Sequence, residues 1–172
     1  SVWTWGDNSS DQLGRSTADT IGMVSIAEDV MYIAAGKNSA YAVTYKKNAD
    51  GSEESKLYAW GDNTYGQLGN DKTTATISTP VHVKSSDGTY LTGISMVSGG
   101  ANHVIAMSNT NDIYAWGDNS KAQYHEVANT HVANKITDKD SLNPENDDVF
   151  TSFSRVTAGW NYSVILTNNG YL

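Results

Sequence analysis

Apolar and polar positions alternate along this chain in short runs, and turn residues break them at close intervals. Val2-Trp3-Thr4-Trp5, Leu57-Tyr58-Ala59-Trp60 and Ile113-Tyr114-Ala115-Trp116 share one pattern. Aliphatic or small residues take one face of each run, and aromatic residues take the other. Period-two alternation with both faces apolar predicts a strand covered on both sides. A second pattern is strand, Gly-x-Asn turn, strand. It spans Ile33 to Val43, Val97 to Met107 and Val156 to Leu166. Shorter signals lie between. Thr79-Pro80-Val81-His82-Val83 predicts an edge strand, where proline is tolerated, and Ser86 to Thr89 predicts a turn. Lys46 to Lys56 is charged and carries Gly and Ser, so it is expected on an exposed loop, as is the polar stretch from Asn134 to Asp148.

Each run of the first kind ends in the same word. WGDN begins at Trp5, Trp60 and Trp116, and a Gln follows seven residues after each Trp, at Gln12, Gln67 and Gln123. The full stretches are WGDNSSDQLG, WGDNTYGQLG and WGDNSKAQYH. A spacing of about 55 residues lies in the range of repeat architectures. Gly6, Gly61 and Gly117 let the backbone turn without a Cβ clash. Asp-Asn favours a turn bonded to its own backbone, and the Gln is expected to tie the loop down through backbone hydrogen bonds. A word present in every repeat builds the repeat. The expected structural set is Trp5, Gly6, Gln12, Gly36, Trp60, Gly61, Gln67, Gly100, Trp116, Gly117, Gln123 and Gly159.

The alternation of strand-WGDN-x-x-GQLG with A-G-x-x-H and a following strand resembles the repeat of the regulator of chromosome condensation family. The resemblance covers the whole chain as three repeats, at about 1–56, 57–112 and 113–172, read as one domain. It implies an all-β fold: propeller blades of four-stranded antiparallel sheets, forming a three-repeat arc of a six- or seven-bladed ring. Family members include a nucleotide exchange factor for a small GTPase, a plant ultraviolet photoreceptor and a bacterial inhibitor of β-lactamase, so the fold does not fix a function. Of the family's histidines only His103 is present. Ser39 and Tyr162 stand at its other two places, and the third GQLG has become Ala122-Gln123-Tyr124-His125.

Composition narrows the function. The 172 residues carry a net charge of −8, with 11 Lys plus Arg against 19 Asp plus Glu, and no Cys. An acidic chain gains no overall counterion-release affinity for nucleic acid, so neither chromatin binding nor nucleotide exchange is expected, despite the resemblance. No apolar run is long enough to span a bilayer. No nucleophile elbow, Walker loop or dinucleotide fingerprint is present. His82, His103, His125 and His131 lack metal-site spacing, and Asp138, Asp140, Asp147 and Asp148 lack calcium-loop spacing. No catalytic residue, metal or cofactor is expected.

The expected function is a non-enzymatic scaffold that binds a macromolecular partner through loop residues that vary among the repeats: Ser9, Ser10, Thr64, Tyr65, Ser120, Lys121 and Trp160. The alternative is a lectin-like propeller binding a glycan. Exchange activity, by family analogy, ranks behind both. An extracellular or bacterial cell-surface location fits the acidic, Cys-free composition. Leu172 ends the chain in the phase in which Val2 begins it. Val2, Trp3, Trp5, Val164, Leu166 and Leu172 are therefore expected to form a self-assembly seam, joining two chains head to tail, unless the chain is part of a longer propeller.

Overall fold

The structure is a computed structural model and describes residues 1–16, 21–124, 128–136 and 152–168. The described residues form twelve strands and no helix: β1 Val2–Thr4, β2 Gly22–Val24, β3 Asp29–Ala35, β4 Ser39–Lys47, β5 Glu53–Asp62, β6 Thr76–His82, β7 Ile94–Gly99, β8 His103–Ser108, β9 Ile113–Gly117, β10 Thr130–Lys135, β11 Phe153–Ala158 and β12 Ser163–Thr167. Every pairing is antiparallel between strands consecutive in the chain. Two sheets are whole blades, β3-β4-β5-β6 and β7-β8-β9-β10, and they are flanked by the pairs β1-β2 and β11-β12. Each WGDN word closes the third strand of a blade, so blade and sequence repeat run out of phase.

Three apolar clusters lie between successive sheets. The largest joins Leu57, Ala59 and Leu68 to Ile94, Val97 and Val104. Ile105, Met107 and Ile113 pack on Phe153 and Val156, and Ala42 and Trp60 pack on Val2 and Val24. The two-faced alternation is realised in β5. Leu57 and Ala59 face the sheet that follows, while Trp60 faces the pair that precedes. In β1 it is realised on one side only: Val2 is buried, but Trp3 and Trp5 are 54% and 67% exposed.

A repeated contact ties the sheets together. The Trp60 indole Nε1–H donates to the Gln12 carbonyl at 3.0 Å, and that of Trp116 donates to the Gln67 carbonyl at 2.9 Å. The indole lies against the last glycine of GQLG. A Cβ on Gly14 would come within 2.8 Å of Trp60, and one on Gly69 within 2.9 Å of the Trp116 Nε1. Both glycines have left-handed φ, +67° and +60°. His125, at the corresponding place in the third word, lies outside the described residues. Nearer the tips of the first two strands, Lys37 N–H donates to the Gly100 carbonyl at 3.1 Å, and Ala101 N–H to the Trp160 carbonyl at 3.0 Å.

Two loop expectations are corrected. Lys46, Lys47 and Glu53 to Lys56 lie in strands β4 and β5, not in a loop; the turn is confined to Asn48–Ser52. Lys46 pairs with Glu54 and Lys47 with Glu53. Opposite charges facing across strands favour the extended hairpin. Asn134 and Lys135 complete β10, with Asn134 opposite Ala115 and Lys135 opposite Tyr114. Of the remaining expected loop only Ile136 is described. Pro80 lies in β6, an outer strand, as its missing N–H requires.

Gly69→Ala places a methyl against the Trp116 indole and a side chain at left-handed φ, and should cost roughly 2–5 kcal/mol. Gly88→Ala, at φ +85° with nothing within 4 Å of its Cβ, should cost only about 1–2 kcal/mol. Urea unfolding of the two variants measures the difference. Equal losses would remove the indole contact from the explanation.

A candidate protein-interaction face

The first hairpin tip of each blade and its WGDN loop come to one end of the sheet. Ser39 pairs with Gly61, and Asp62 N–H donates to the Asn38 carbonyl at 2.8 Å. In the next blade His103 pairs with Gly117, and Asp118 N–H donates to the Asn102 carbonyl at 2.9 Å. This end is built from three equivalent loops and the tips Gly36–Ser39, Gly100–His103 and Gly159–Tyr162.

Each loop is held by the same three side chains. The Asp carboxylate accepts from the N–H two residues on: Asp7 from Ser9 at 3.0 Å, Asp62 from Thr64 at 2.9 Å and Asp118 from Ser120 at 2.9 Å. The Asn side-chain carbonyl accepts from the N–H five residues on: Asn8 from Leu13, Asn63 from Leu68 and Asn119 from Tyr124. The Gln side-chain carbonyl accepts from the N–H two residues back: Gln12 from Ser10, Gln67 from Tyr65 and Gln123 from Lys121. The word WGDN-x-x-x-Q is thus a recipe for one rigid loop, as its repetition suggested. The hydrogen bonds to Ser9 hold the exposed Asp7 carboxyl below the usual carboxylate range.

The variable loop residues divide by what they do. Ser9, Thr64 and Ser120 turn their hydroxyls back to donate to Asp7, Asp62 and Asp118. Tyr65 is 44% exposed, and Lys121 also faces outward. Ser10 is half-buried. Trp160 lies at the third tip, on this same end, and is 61% exposed. The Lys37 ammonium sits 5.1 Å from the centroid of its ring, within cation–π range. Lys37, Ala101 and Trp160 occupy equivalent places, and the small, buried Ala101 stands between the other two in the ladder of tips. Sequence reading singled out Trp160 but missed Lys37. The signal was available, because both residues follow the tip glycine.

His103 is structural, as its repeat position implies. It is 1% exposed, and its Nε2 shares a hydrogen bond of 3.1 Å with Ser163 Oγ in the next sheet. Burial pushes its pKa below the usual histidine value. His82 lies between Tyr58 and Tyr90, with ring centroids at 4.3 and 4.7 Å, and burial lowers it likewise. Among the described residues no three His, Asp or Glu side chains are grouped to hold a metal.

Consecutive four-stranded meanders packed face to face, with clamped loops at one end, define a β-propeller repeat protein. Residues 54–107 match a family model described as regulator of chromosome condensation (RCC1) repeat, and residues 94–123 match a second model of that description. The chain carries repeats of the regulator of chromosome condensation family. It is 28% identical over 179 residues to the ultraviolet-B receptor UVR8 of Arabidopsis thaliana, covering 99% of this chain and 36% of the receptor. It is 25% identical over 190 residues to the guanine nucleotide exchange factor SRM1 of Saccharomyces cerevisiae, covering 98% and 36%. The human ubiquitin-protein ligase HERC2 is 30% identical over 122 residues, 68% of this chain and 2% of HERC2. Human WBSCR16 shares the fold with a TM-score of 0.71 at 17% identity, over 98% of this chain and 42% of that one. Yeast RCC1 (Prp20), solved bound to Kap60, does so with 0.63 at 24% identity, over 97% and 37%. The chain therefore spans well under half the length of these proteins.

Because burial lowers the His103 pKa in the folded state, the unfolded chain binds more protons as pH falls below about 6.5. Stability is complete above that value and declines as pH drops through the unfolded pKa toward the lower folded one. His103→Gln should flatten this decline, whatever it does to stability at pH 8. Thermal unfolding of both chains from pH 8 to 5 tests this, and parallel slopes would show that His103 is not the source.

Proposed function

We propose that this chain is a non-enzymatic interaction platform that binds a protein partner through the loop end of its blades. One observation carries the reading. Backbone hydrogen bonds accepted by Asp, Asn and Gln side chains fix all three loops, while Tyr65, Lys121 and the Lys37–Trp160 pair remain outward on the same end. A rigid frame with exposed aromatic and cationic side chains suits recognition, because anchors of these types dominate binding energy and lose little freedom on binding. The relatives agree with it in kind. Yeast RCC1 is seen bound to Kap60, and a second structure of that yeast protein describes its binding to Gsp1p and histones. Those partners belong to that protein. Here the reading takes from them only that this fold presents a protein-binding surface.

Tyr65→Ala and Trp160→Ala should each weaken partner binding by at least 10-fold, about 1.4 kcal/mol, with little change in melting temperature. Trp116→Ala, which removes a fully buried indole, should instead destabilise the fold by about 3–5 kcal/mol. Affinity capture with the parent and variant chains, followed by titration of each captured protein, measures both effects. Capture unchanged by either loop variant would move the binding surface elsewhere. Glycan-array binding lost with Trp160→Ala would favour the lectin-like alternative.

A further inference from the structure

The hairpin of β4 and β5 projects from the end of its sheet opposite the clamped loops. Val43 faces Leu57 as Met107 faces Ile113, so Tyr45 and Ser55 stand where the next blade has Asn109 and Asn111. That blade turns from β8 to β9 over 109–112, whereas β4 and β5 run on to Lys47 and Glu53. Tyr45 and Ser55 are directly opposite each other, and Glu53 lies two residues before Ser55. Side chains alternate along a strand, so all three share the face turned to the next blade, as Val43 and Leu57 do.

The two seams differ at this end. Between the second whole blade and the β11-β12 pair, side chains bridge the gap. Asn111 Oδ1 accepts from the Phe153 N–H at 3.0 Å, and Asn168 Nδ2 donates to Ser152 Oγ at 2.8 Å. Ile94 pairs with Ser108 as Phe153 pairs with Thr167, so Gly93 and Asn109 are the equivalents of Ser152 and Asn168. Between the two whole blades both bridges are lost. Ser55 is shorter than Asn111, and its Oγ is buried with no hydrogen-bond partner among the described residues. Gly93 offers Asn109 no side chain, and Asn109 Oδ1 lies 3.3 Å from where a Cβ on Gly93 would stand. A cavity of about 410 Å³ opens in the gap. Tyr45, Glu53 and Ser55 border it from the hairpin, and Thr92, Gly93 and Asn109 from the next blade.

The chemistry of the lining selects a ligand class. No Lys or Arg borders the cavity to hold an anion. Glu54 borders it but is paired with Lys56 at 3.6 Å. That leaves the Glu53 carboxylate, and one carboxylate is too few for a divalent cation. The Tyr45 hydroxyl is hydrogen-bonded to Glu53, which raises its pKa and holds the ring beside the cavity. A serine hydroxyl donates and accepts, an amide does both through separate atoms, and a carboxylate keeps lone pairs to spare. These are the partners that neighbouring hydroxyls of one ligand need. A buried hydroxyl left without a partner costs free energy, so a ligand oxygen that meets Ser55 Oγ relieves that cost. The volume lies within the range of small-molecule sites.

We propose that this cavity binds one pyranose unit of a neutral sugar, with Ser55, Asn109 and Glu53 bonding its hydroxyls and the Tyr45 ring lying along its face. The extension of β4 and β5 supplies one wall, and the loss of both bridges opens the other. The second seam has neither feature, so the site occurs once in the described residues. It lies at the opposite end from Tyr65, Lys121 and Trp160, and it stands apart from the partner-binding reading.

Methyl glycosides of glucose, galactose, mannose and N-acetylglucosamine, each titrated to about 50 mM against the isotope-labelled chain, test this by NMR, because a ligand of this size should bind with a dissociation constant on the order of 1–10 mM. At least one glycoside should saturate, with shifts centred on the Asn109 side-chain amide and the Thr92 backbone amide. Ser55→Asn installs the side chain that bridges the second seam. It should weaken binding by roughly 10-fold or more and melt no lower than the parent. Tyr45→Ala, which only trims the projecting wall, should weaken binding by a similar factor. The proposal is overturned if no glycoside moves these amides, if both variants bind like the parent, or if the shifts centre on Trp160. Shifts produced here by methylguanidinium and not by any glycoside would assign the cavity to a cationic ligand and overturn the sugar class.

Discussion

An indole laid on a glycine and hydrogen-bonded to a carbonyl of the preceding unit sets the spacing of this structure. The tryptophan must lie flat where any Cβ would intrude, so the glycine of the preceding loop is required by a residue nearly 50 positions away in the chain. The same indole buries a large apolar surface and fixes where the preceding loop stands. Removing either member loosens both the packing between sheets and the loop above it. The clamped Asp-Asn-Gln loop is thus part of the inter-sheet contact, because Gln67 holds its own loop with its side chain and the next blade with its backbone carbonyl.

This coupling explains how much of the fold was legible. Identical side chains doing identical work in each unit leave an exact word in the sequence, so the strands β5 and β9, the loops and the sheet class could be read directly. The long hairpin of β4 and β5 was not legible, because its outer half is stabilised by cross-strand pairs such as Lys46 with Glu54, which single-chain periodicity does not display. The exposure of Trp3 and Trp5 was also hidden. Their pattern matches that of Tyr58 and Trp60, and only the sheet order shows that, among the described residues, β1 pairs on one edge alone.

The candidate face was legible in part for a related reason. Variation among repeats marks residues that the frame does not prescribe, and it singled out Tyr65, Lys121 and Trp160, whose side chains the structure leaves exposed. It could not tell a variable residue that turns inward from one that turns outward. Ser9, Thr64 and Ser120 vary in identity yet share one task, donating to the aspartate of their own loop. A hydroxyl at that place is a chemical requirement that serine and threonine meet equally. Lys37 escaped notice because its contact with Trp160 crosses from the first tip to the third, and the link depends on a small residue at Ala101.

The offset between blade and repeat bears on how such a chain can gain or lose units. Duplication of one sequence repeat, from one WGDN strand to the next, adds two strands to one sheet and two to its neighbour. Every inserted unit is therefore interlocked with both sides before it can fold, and a copied segment cannot persist as an independent module that later drifts away. A change of length in the exposed turn Ser86–Thr89, by contrast, falls between sheets, where the chain passes from β6 to β7. Changes of length are expected to be tolerated there and to be ruinous within the hairpin of β4 and β5, so that the history of unit gain in this protein should be written in the linkers rather than in the words that repeat.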